Sequence, residues 1–114
     1  MSKFMYIFRG GDAREVNQSP EQMQAHMQKW GVWMGALGES GNFIAGEPLQ
    51  AAGHVVSTGG VVTDGPFAEG AEIVGGYLIV EATDAANATE LSMGCPIFEY
   101  GGTVEVREVQ QMNM

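Results

Sequence analysis

The sequence predicts an α+β domain of the ferredoxin-like, split-βαβ type, in which an antiparallel sheet carries two helices on one face. Three observations lead to this prediction. Strand-like and helix-like segments follow one another in the order β, α, a β-rich middle, β, α, β. The two strongest strands are apolar on both of their faces. At 114 residues the chain has room for one domain, which we place at residues 1–114.

The first strand and the first helix are the clearest elements. KFMYIFR, residues 3–9, has two largely apolar faces and stops at a glycine pair, which predicts a strand that is covered on both sides. Ser19 and Pro20, with Gln22 three residues after the serine, form the signature of a capping box. The helix that begins there has one apolar stripe, formed by Met23, Met27, Trp30, Met34 and Leu37.

Two groups of residues flank this stripe. Gly31, Gly35 and Gly38 lie on one side of it. Each glycine lowers the stability of the helix by about 1 kcal/mol relative to alanine. We therefore expect a neighbouring backbone to approach the helix closely there and to offset this loss. His26 lies on the other side, at the edge of the buried face. A residue of a functional site is expected at such an edge.

The remaining elements are shorter. Residues between 42 and 65 form extended segments that glycine and proline interrupt. Residues 72–82 predict a second strong strand, and residues 103–109 predict a last strand with regular alternation. Residues 84–94 predict a short helix with Asp84 as its N-cap. The two predicted helices can cover only one face of the sheet.

The second face of the sheet therefore needs another cover. Strands 3–9 and 72–82 are apolar on both faces, and an identical sheet from a second copy is the simplest partner for the exposed side. The pattern predicts a homodimer in which two sheets pack face to face.

The composition excludes several classes of function. Lys and Arg number 5 against 14 Asp and Glu, which gives a formal charge of −9. Binding to nucleic acid or to an anionic membrane needs the opposite sign. The N-terminal apolar run, residues 4–8, is too short for a signal peptide or a membrane span. Cys95 is the only cysteine, so no internal disulfide can form and a cytoplasmic location is expected.

Three segments resemble the DGPF proteins of the YCII-related family: residues 19–41, residues 64–81, which begin DGPFAEG, and residues 101–109. The resemblance implies a dimeric α+β barrel of ferredoxin-like subunits. It also implies an enzyme whose histidine on the first helix pairs with an aspartate. That histidine carries over to His26, and the acid of the DGPF motif carries over to Asp64.

Two departures from the family pattern affect the expected site. Ala71 stands where family members commonly have a basic residue. Residues 38–41 contain no aspartate, although some relatives have the partner of the histidine in that region. Asp64 would therefore supply the carboxylate. A histidine beside a carboxylate is a suitable general base near neutral pH, because the acid fixes the tautomer of the ring.

The same residues also have structural interpretations. His26 can cover apolar surface and bond to a backbone carbonyl. Asp64 can be the first residue of an Asp-Gly-Pro turn that seats Phe67 on the core and leaves Glu69 in solvent. His54 is expected to be a solvated or edge-strand histidine. Cys95 is expected to be buried filler rather than a nucleophile.

Two functions from different classes remain open. The first is a lyase or hydrolase for a small organic molecule, in which His26 and Asp64 are the catalytic acid-base pair for elimination or hydrolysis. The second is a non-catalytic dimeric module that binds a small ligand or has a regulatory role. The two departures from the family pattern favour the second. No nucleotide-binding motif and no metal-ligand spacing such as HxH or CxxC is found, so neither a cofactor nor a metal is expected.

Overall fold

A computed structural model describes residues 1–11, 19–66 and 72–112. It confirms the predicted α+β fold with two helices and an antiparallel sheet. No helix in these ranges is both long and apolar enough to cross a membrane. The elements, in chain order, are β1 (Ser2–Arg9), α1 (Pro20–Glu39), β2 (Phe43–Pro48), β3 (Gly53–Ser57), β4 (Val61–Gly65), β5 (Val74–Ala82), α2 (Ala85–Ser92), a 3₁₀ helix (Pro96–Tyr100) and β6 (Thr103–Glu108).

The main sheet has four strands in the order β2-β5-β1-β6, and each neighbouring pair is antiparallel. β1 is a central strand that pairs with β5 on one side and with β6 on the other. β1 and β2 are joined through α1 but separated in the sheet by β5. This is the split-βαβ arrangement that the order of elements predicted.

The core lies between this sheet and the helices. Side chains alternate across a strand, so every second residue of β1 and β5 faces the helices. These core residues are Phe4, Tyr6, Phe8, Leu78, Val80 and Ala82, joined by Trp33, Leu37, Ala88, Cys95 and Ile97.

The intervening residues form the opposite side of the sheet, which we call the open face. Its centre is apolar, and its rim carries charged side chains from all four strands. The pairing registers place on it Lys3, Met5, Ile7, Arg9, Ala45, Glu47, Tyr77, Ile79, Glu81, Glu105 and Arg107. The predicted homodimer would bury this face. That the protein is a dimer stays a prediction.

Both helices begin where the sequence predicted. The Ser19 hydroxyl accepts from the Gln22 amide at 3.1 Å, and the Gln22 side chain accepts from the Ser19 amide at 2.9 Å. These two bonds are the predicted capping box. The Asp84 carboxylate accepts from the Asn87 amide at 2.8 Å and caps α2.

The buried face of α1 differs from the predicted stripe. His26, Trp33 and Leu37 are its buried residues, whereas Met27 is 56% exposed. The helix is turned so that both tryptophans reach the sheet, since the Phe8 ring lies 5.3 Å from that of Trp30 and 6.2 Å from that of Trp33. Burial of two indoles outweighs burial of one flexible methionine.

This rotation leaves the glycine flank without a neighbour in the part of the chain that the structure describes. A Cβ atom added at Gly31, Gly35 or Gly38 would meet nothing within 4 Å. Among the described residues, no backbone makes the close approach to these glycines that the sequence predicted.

β3 and β4, which follow β2 and precede β5 along the chain, form a separate two-stranded sheet. We call residues 53–65 the hairpin arm. The radius of gyration is 15.7 Å, whereas about 13 Å is expected for a compact chain of this length. The molecule is also flat, with extents of 49 × 43 × 18 Å. The single layer of helices on one side of the sheet accounts for the short dimension.

Candidate functional site

His26 is the centre of a polar cluster on the buried face of α1. Its side chain is 3% exposed, so its ring nitrogens need partners within the protein. Nδ1 lies 2.8 Å from Oε2 of Glu99, which belongs to the 3₁₀ helix. Nε2 lies 3.0 Å from the indole nitrogen of Trp30. Both ring nitrogens are thus bonded.

These two partners define the tautomer of the imidazole. An indole N–H can only donate a hydrogen bond, so Nε2 of His26 must accept with its lone pair. The ring proton is then on Nδ1, which donates it to the Glu99 carboxylate. In this arrangement Nε2 carries the lone pair of the imidazole.

Glu99 joins His26 to a lysine on the same helix. Its second oxygen, Oε1, accepts from the Lys29 ammonium group. Lys29 and Trp30 follow His26 by three and four residues, which places all three side chains on one face of α1. The bond from Lys29, and then the bond with His26, lower the pKa of the Glu99 carboxyl below its ordinary value of 4.5. Glu99 is therefore a carboxylate at neutral pH.

Aromatic rings enclose the imidazole on two sides. The Tyr100 ring centroid lies 4.6 Å from that of His26, and the Trp30 ring meets His26 edge-on at 6.4 Å. Trp30 in turn packs edge-on against Phe8 of β1. The cluster is thus a carboxylate–imidazole pair set in an aromatic wall.

Asp64 lies elsewhere, in β4 on the hairpin arm. It is opposite His54 in the strand register, and its Oδ1 is 3.7 Å from His54 Nδ1. The Asp64 side chain is fully exposed, so it cannot touch a ring that is almost completely buried. The structure does not bring His26 and Asp64 together within one chain, and their predicted catalytic roles stay predictions.

The other expectations around the DGPF motif have mixed outcomes. Asp64 is a residue of β4, and the turn predicted to begin there extends to residue 67, outside the described residues. Phe67, Glu69 and Ala71 lie outside the described residues. His54 is an exposed strand residue, as predicted.

Sequence reasoning missed the carboxylate partner of His26. Trp30 could have been found, because a residue four positions after a helical histidine lies beside it. Pro96 could have indicated a helical turn, since proline is favoured at the first helical position. Nothing in the sequence indicates that Glu99 in this turn meets His26, which is 73 residues away along the chain.

A cleft of about 660 Å³ lies at the base of the hairpin arm. Its ionisable lining residues are Arg9, His54 and Glu72, and its apolar ones include Leu49, Val55, Ile73 and Val74. A cleft of this size and mixed lining can hold a small organic ligand. His26 is not among the lining residues. Within the described ranges, no group of three or more His, Cys, Asp or Glu side chains is placed to hold a metal ion.

Cys95 is expected to resist alkylation in the folded protein. Its side chain is buried in the core, and burial raises the pKa of its thiol to about 12. The reactive thiolate should therefore be at least about a thousandfold scarcer at pH 8 than in an unfolded chain. Iodoacetamide labelling, followed by mass spectrometry with and without urea, measures this difference. Equal rates in the two states would contradict it.

The bonds to Glu99 should make stability depend on pH. A carboxyl whose pKa is lowered by folding stabilises the protein above its ordinary value, here 4.5. The contribution is lost as the pH falls through the lowered folded value. Urea unfolding between pH 7 and pH 3 should show a smaller decline in Glu99→Gln than in the parent. Lys29→Met should move the decline towards pH 4.5, because Lys29 is the main cause of the shift. Identical curves for all three proteins would refute this assignment.

The chain resembles known proteins in sequence and in structure. The model of a family described as the YCII-related domain matches residues 4–113. Among solved structures, a similar one is 5-chloro-2-hydroxyhydroquinone dehydrochlorinase (TftG) from Burkholderia phenoliruptrix AC1100, in complex with 2,5-dihydroxybenzoquinone. The two chains are 14% identical, the match covers 96% of this chain and 95% of that one, and the TM-score is 0.47. No curated protein matches the chain.

Proposed function

The chain belongs to the YCII-related domain family, and we propose that it is an enzyme that uses His26 as a general base on a small organic molecule. The observation that carries this proposal is the Glu99 carboxylate, 2.8 Å from His26 Nδ1. A carboxylate in this position fixes the Nδ1–H tautomer and stabilises the imidazolium that forms when Nε2 takes a proton. Glu99 here has the orienting role that the sequence assigned to Asp64.

Trp30 controls access to the basic nitrogen. Its indole N–H occupies Nε2 of His26, and the imidazole is nearly inaccessible. A substrate reaches Nε2 when the indole of Trp30 turns aside. An acidic O–H, N–H or C–H group of the substrate then takes the place of the indole N–H. The rings of Trp30 and Tyr100 favour a flat substrate. When His26 removes a C–H proton, the electron pair of that bond forms a double bond as a leaving group departs from the neighbouring carbon, which is an elimination. When it removes a proton from water, the hydroxide attacks an ester carbonyl and the alcohol leaves with the proton that His26 returns, which is a hydrolysis. Neither reaction needs a cofactor.

Activity measurements on matched variants test this function. Small esters and carbon acids are incubated with the protein in D₂O, and the reaction is followed by NMR. The spectra report hydrolysis, elimination and proton exchange. His26→Gln should lower kcat by about 10²–10⁴-fold, the usual contribution of a general base. Glu99→Gln should lower kcat with a smaller change in KM. Unchanged turnover in His26→Gln would reject the proposal.

Asp64→Asn tests the pair predicted from the sequence. A loss as large as that of His26→Gln would support a joint role for Asp64 and His26. Unchanged turnover would leave Asp64 as a strand residue paired with His54.

The cleft at the base of the hairpin arm favours a second candidate, a non-catalytic binding module for a small ligand. Arg9 and His54 supply donors there, and the aliphatic lining supplies an apolar wall. Ligand binding that is lost in Arg9→Met but kept in His26→Gln would support this function over the enzyme.

The oligomeric state that fits the molecule best is a homodimer through the open face. Met5, Ile7, Tyr77 and Ile79 form its half-buried apolar centre. The charges on its rim are balanced, with Lys3, Arg9 and Arg107 against Glu47, Glu81 and Glu105. A chain with a formal charge of −9 repels its own copies least across a neutral surface.

A reducing compartment, the cytoplasm, is the proposed location. The one cysteine of the chain is a free, buried thiol. It therefore gains nothing from an oxidising environment.

A further inference from the structure

The hairpin arm is not integrated into the main sheet. β3 and β4 pair with each other, and no other described strand pairs with them. A single two-stranded hairpin is marginally stable in water. The arm therefore needs an additional contact to hold its conformation.

One face of the arm is suited to such a contact. His54 is opposite Asp64, and Val56 is opposite Val62, so these four side chains share one face of the two-stranded sheet. Val56 is 68% exposed. Val62 is 59% exposed as well, so the two valines form an apolar pair that is open to solvent, and covering them with protein would remove this apolar area from water.

The arm and the open face adjoin each other at the cleft. Arg9 and Val74 line the cleft from the main sheet, while His54 and Val55 line it from the arm. Arg9 also forms an ion pair with Glu105 on the open face. A partner that covers the open face up to this end therefore also reaches the arm.

Charge indicates which partner fits. The rim of the open face carries three basic and three acidic side chains, so this face is balanced in charge. The chain as a whole has a formal charge of −9. A basic partner would be drawn to the acidic remainder of the surface, whereas a second acidic copy can approach only where the charge is balanced.

We propose that the hairpin arm of each copy packs, through Val56 and Val62, on the second copy of this chain. This proposal rests on the homodimer proposed above. The contact is isologous, so each subunit gives one arm and receives one. The partner then closes the cleft at the base of the arm, and a ligand bound there would contact both subunits.

Three single substitutions separate the arm contact from the dimer itself. Val56→Glu places a charge on the arm face, and Ile79→Glu places one in the centre of the open face. Val32→Glu is the matched control, because Val32 is a 74% exposed valine on α1, away from both surfaces. Sedimentation velocity on the full chain gives the dimer dissociation constant of each, and circular dichroism confirms that each is folded.

Val56→Glu should weaken the dimer by at least about tenfold, since each interface loses two buried valines, and Val32→Glu should leave it unchanged. A dimer that Ile79→Glu disrupts but Val56→Glu does not would overturn the arm contact and leave the open-face dimer standing. A parent chain that is monomeric at micromolar concentration would overturn both.

Hydrogen exchange gives a second readout that does not depend on the variants. The amides of residues 54–64 in the parent should be protected above the dissociation constant and exchange quickly below it. Protection that does not change with concentration would show that the arm is stabilised within one chain, against the proposal.

Discussion

Replacing His26 by alanine should lower the free energy of unfolding by about 3 kcal/mol, because three losses occur at one buried position. The imidazole leaves a cavity next to the core. The Trp30 N–H loses its acceptor, and Glu99 loses one of its two donors. Urea unfolding at pH 7, followed by tryptophan fluorescence and circular dichroism, measures the change.

His54→Ala is the matched control for this result. His54 is the other histidine of the chain, and it is largely exposed on the hairpin arm. Its removal should change stability by less than about 0.5 kcal/mol, as is usual for exposed positions. Equal effects of the two substitutions would show that the bonds of His26 do not stabilise the contact between α1 and the 3₁₀ helix.

The structural and the catalytic interpretations of His26 rest on the same two hydrogen bonds. Glu99→Gln keeps the size of the side chain and an acceptor oxygen, yet it removes the negative charge that would stabilise an imidazolium. This variant should therefore remain folded at neutral pH while losing turnover. A purely structural His26 would show the stability loss of His26→Ala with no turnover to lose.

The sequence predicted those features of the fold that depend on neighbouring residues. The capping box at Ser19 and the Asp84 cap are local hydrogen bonds within three positions, so the residue types suffice to locate them. The alternation in β1 and β5 likewise predicted two apolar faces for the sheet, but it did not tell which of the two the helices cover. Long-range packing was harder, as the rotation of α1 towards Trp33 shows.

The carboxylate of the site could not be read from local patterns. Asp64 was the candidate because it stands in a recognisable motif, but the register of β4 places it opposite His54 on the exposed arm. Glu99 lies in a five-residue 3₁₀ helix that has no periodic signature. Its approach to His26 depends on how this turn packs on α1, which only the folded chain defines.

The double substitution Gly31→Ala/Gly35→Ala should stabilise the protein by about 2 kcal/mol, the sum of two helix propensities. Both glycines lie inside α1, and an added Cβ atom would meet nothing within 4 Å. The gain comes from the unfolded chain, which loses conformational freedom when glycine becomes alanine. Urea unfolding of the variant and the parent measures it.

Gly41→Ala is the control that distinguishes the effect of free space around an added Cβ atom from the effect of backbone conformation. An added Cβ atom at Gly41 also meets nothing within 4 Å, but its φ is +80°. The same substitution should destabilise the protein there by about 1 kcal/mol, because a left-handed backbone disfavours any side chain with a Cβ atom. A destabilised Gly31→Ala/Gly35→Ala variant, or one with a weakened dimer, would mean that another molecule packs against the glycines of α1. The exposed flank of this helix would then be a contact surface, and the stripe of small residues would exist to let that molecule approach.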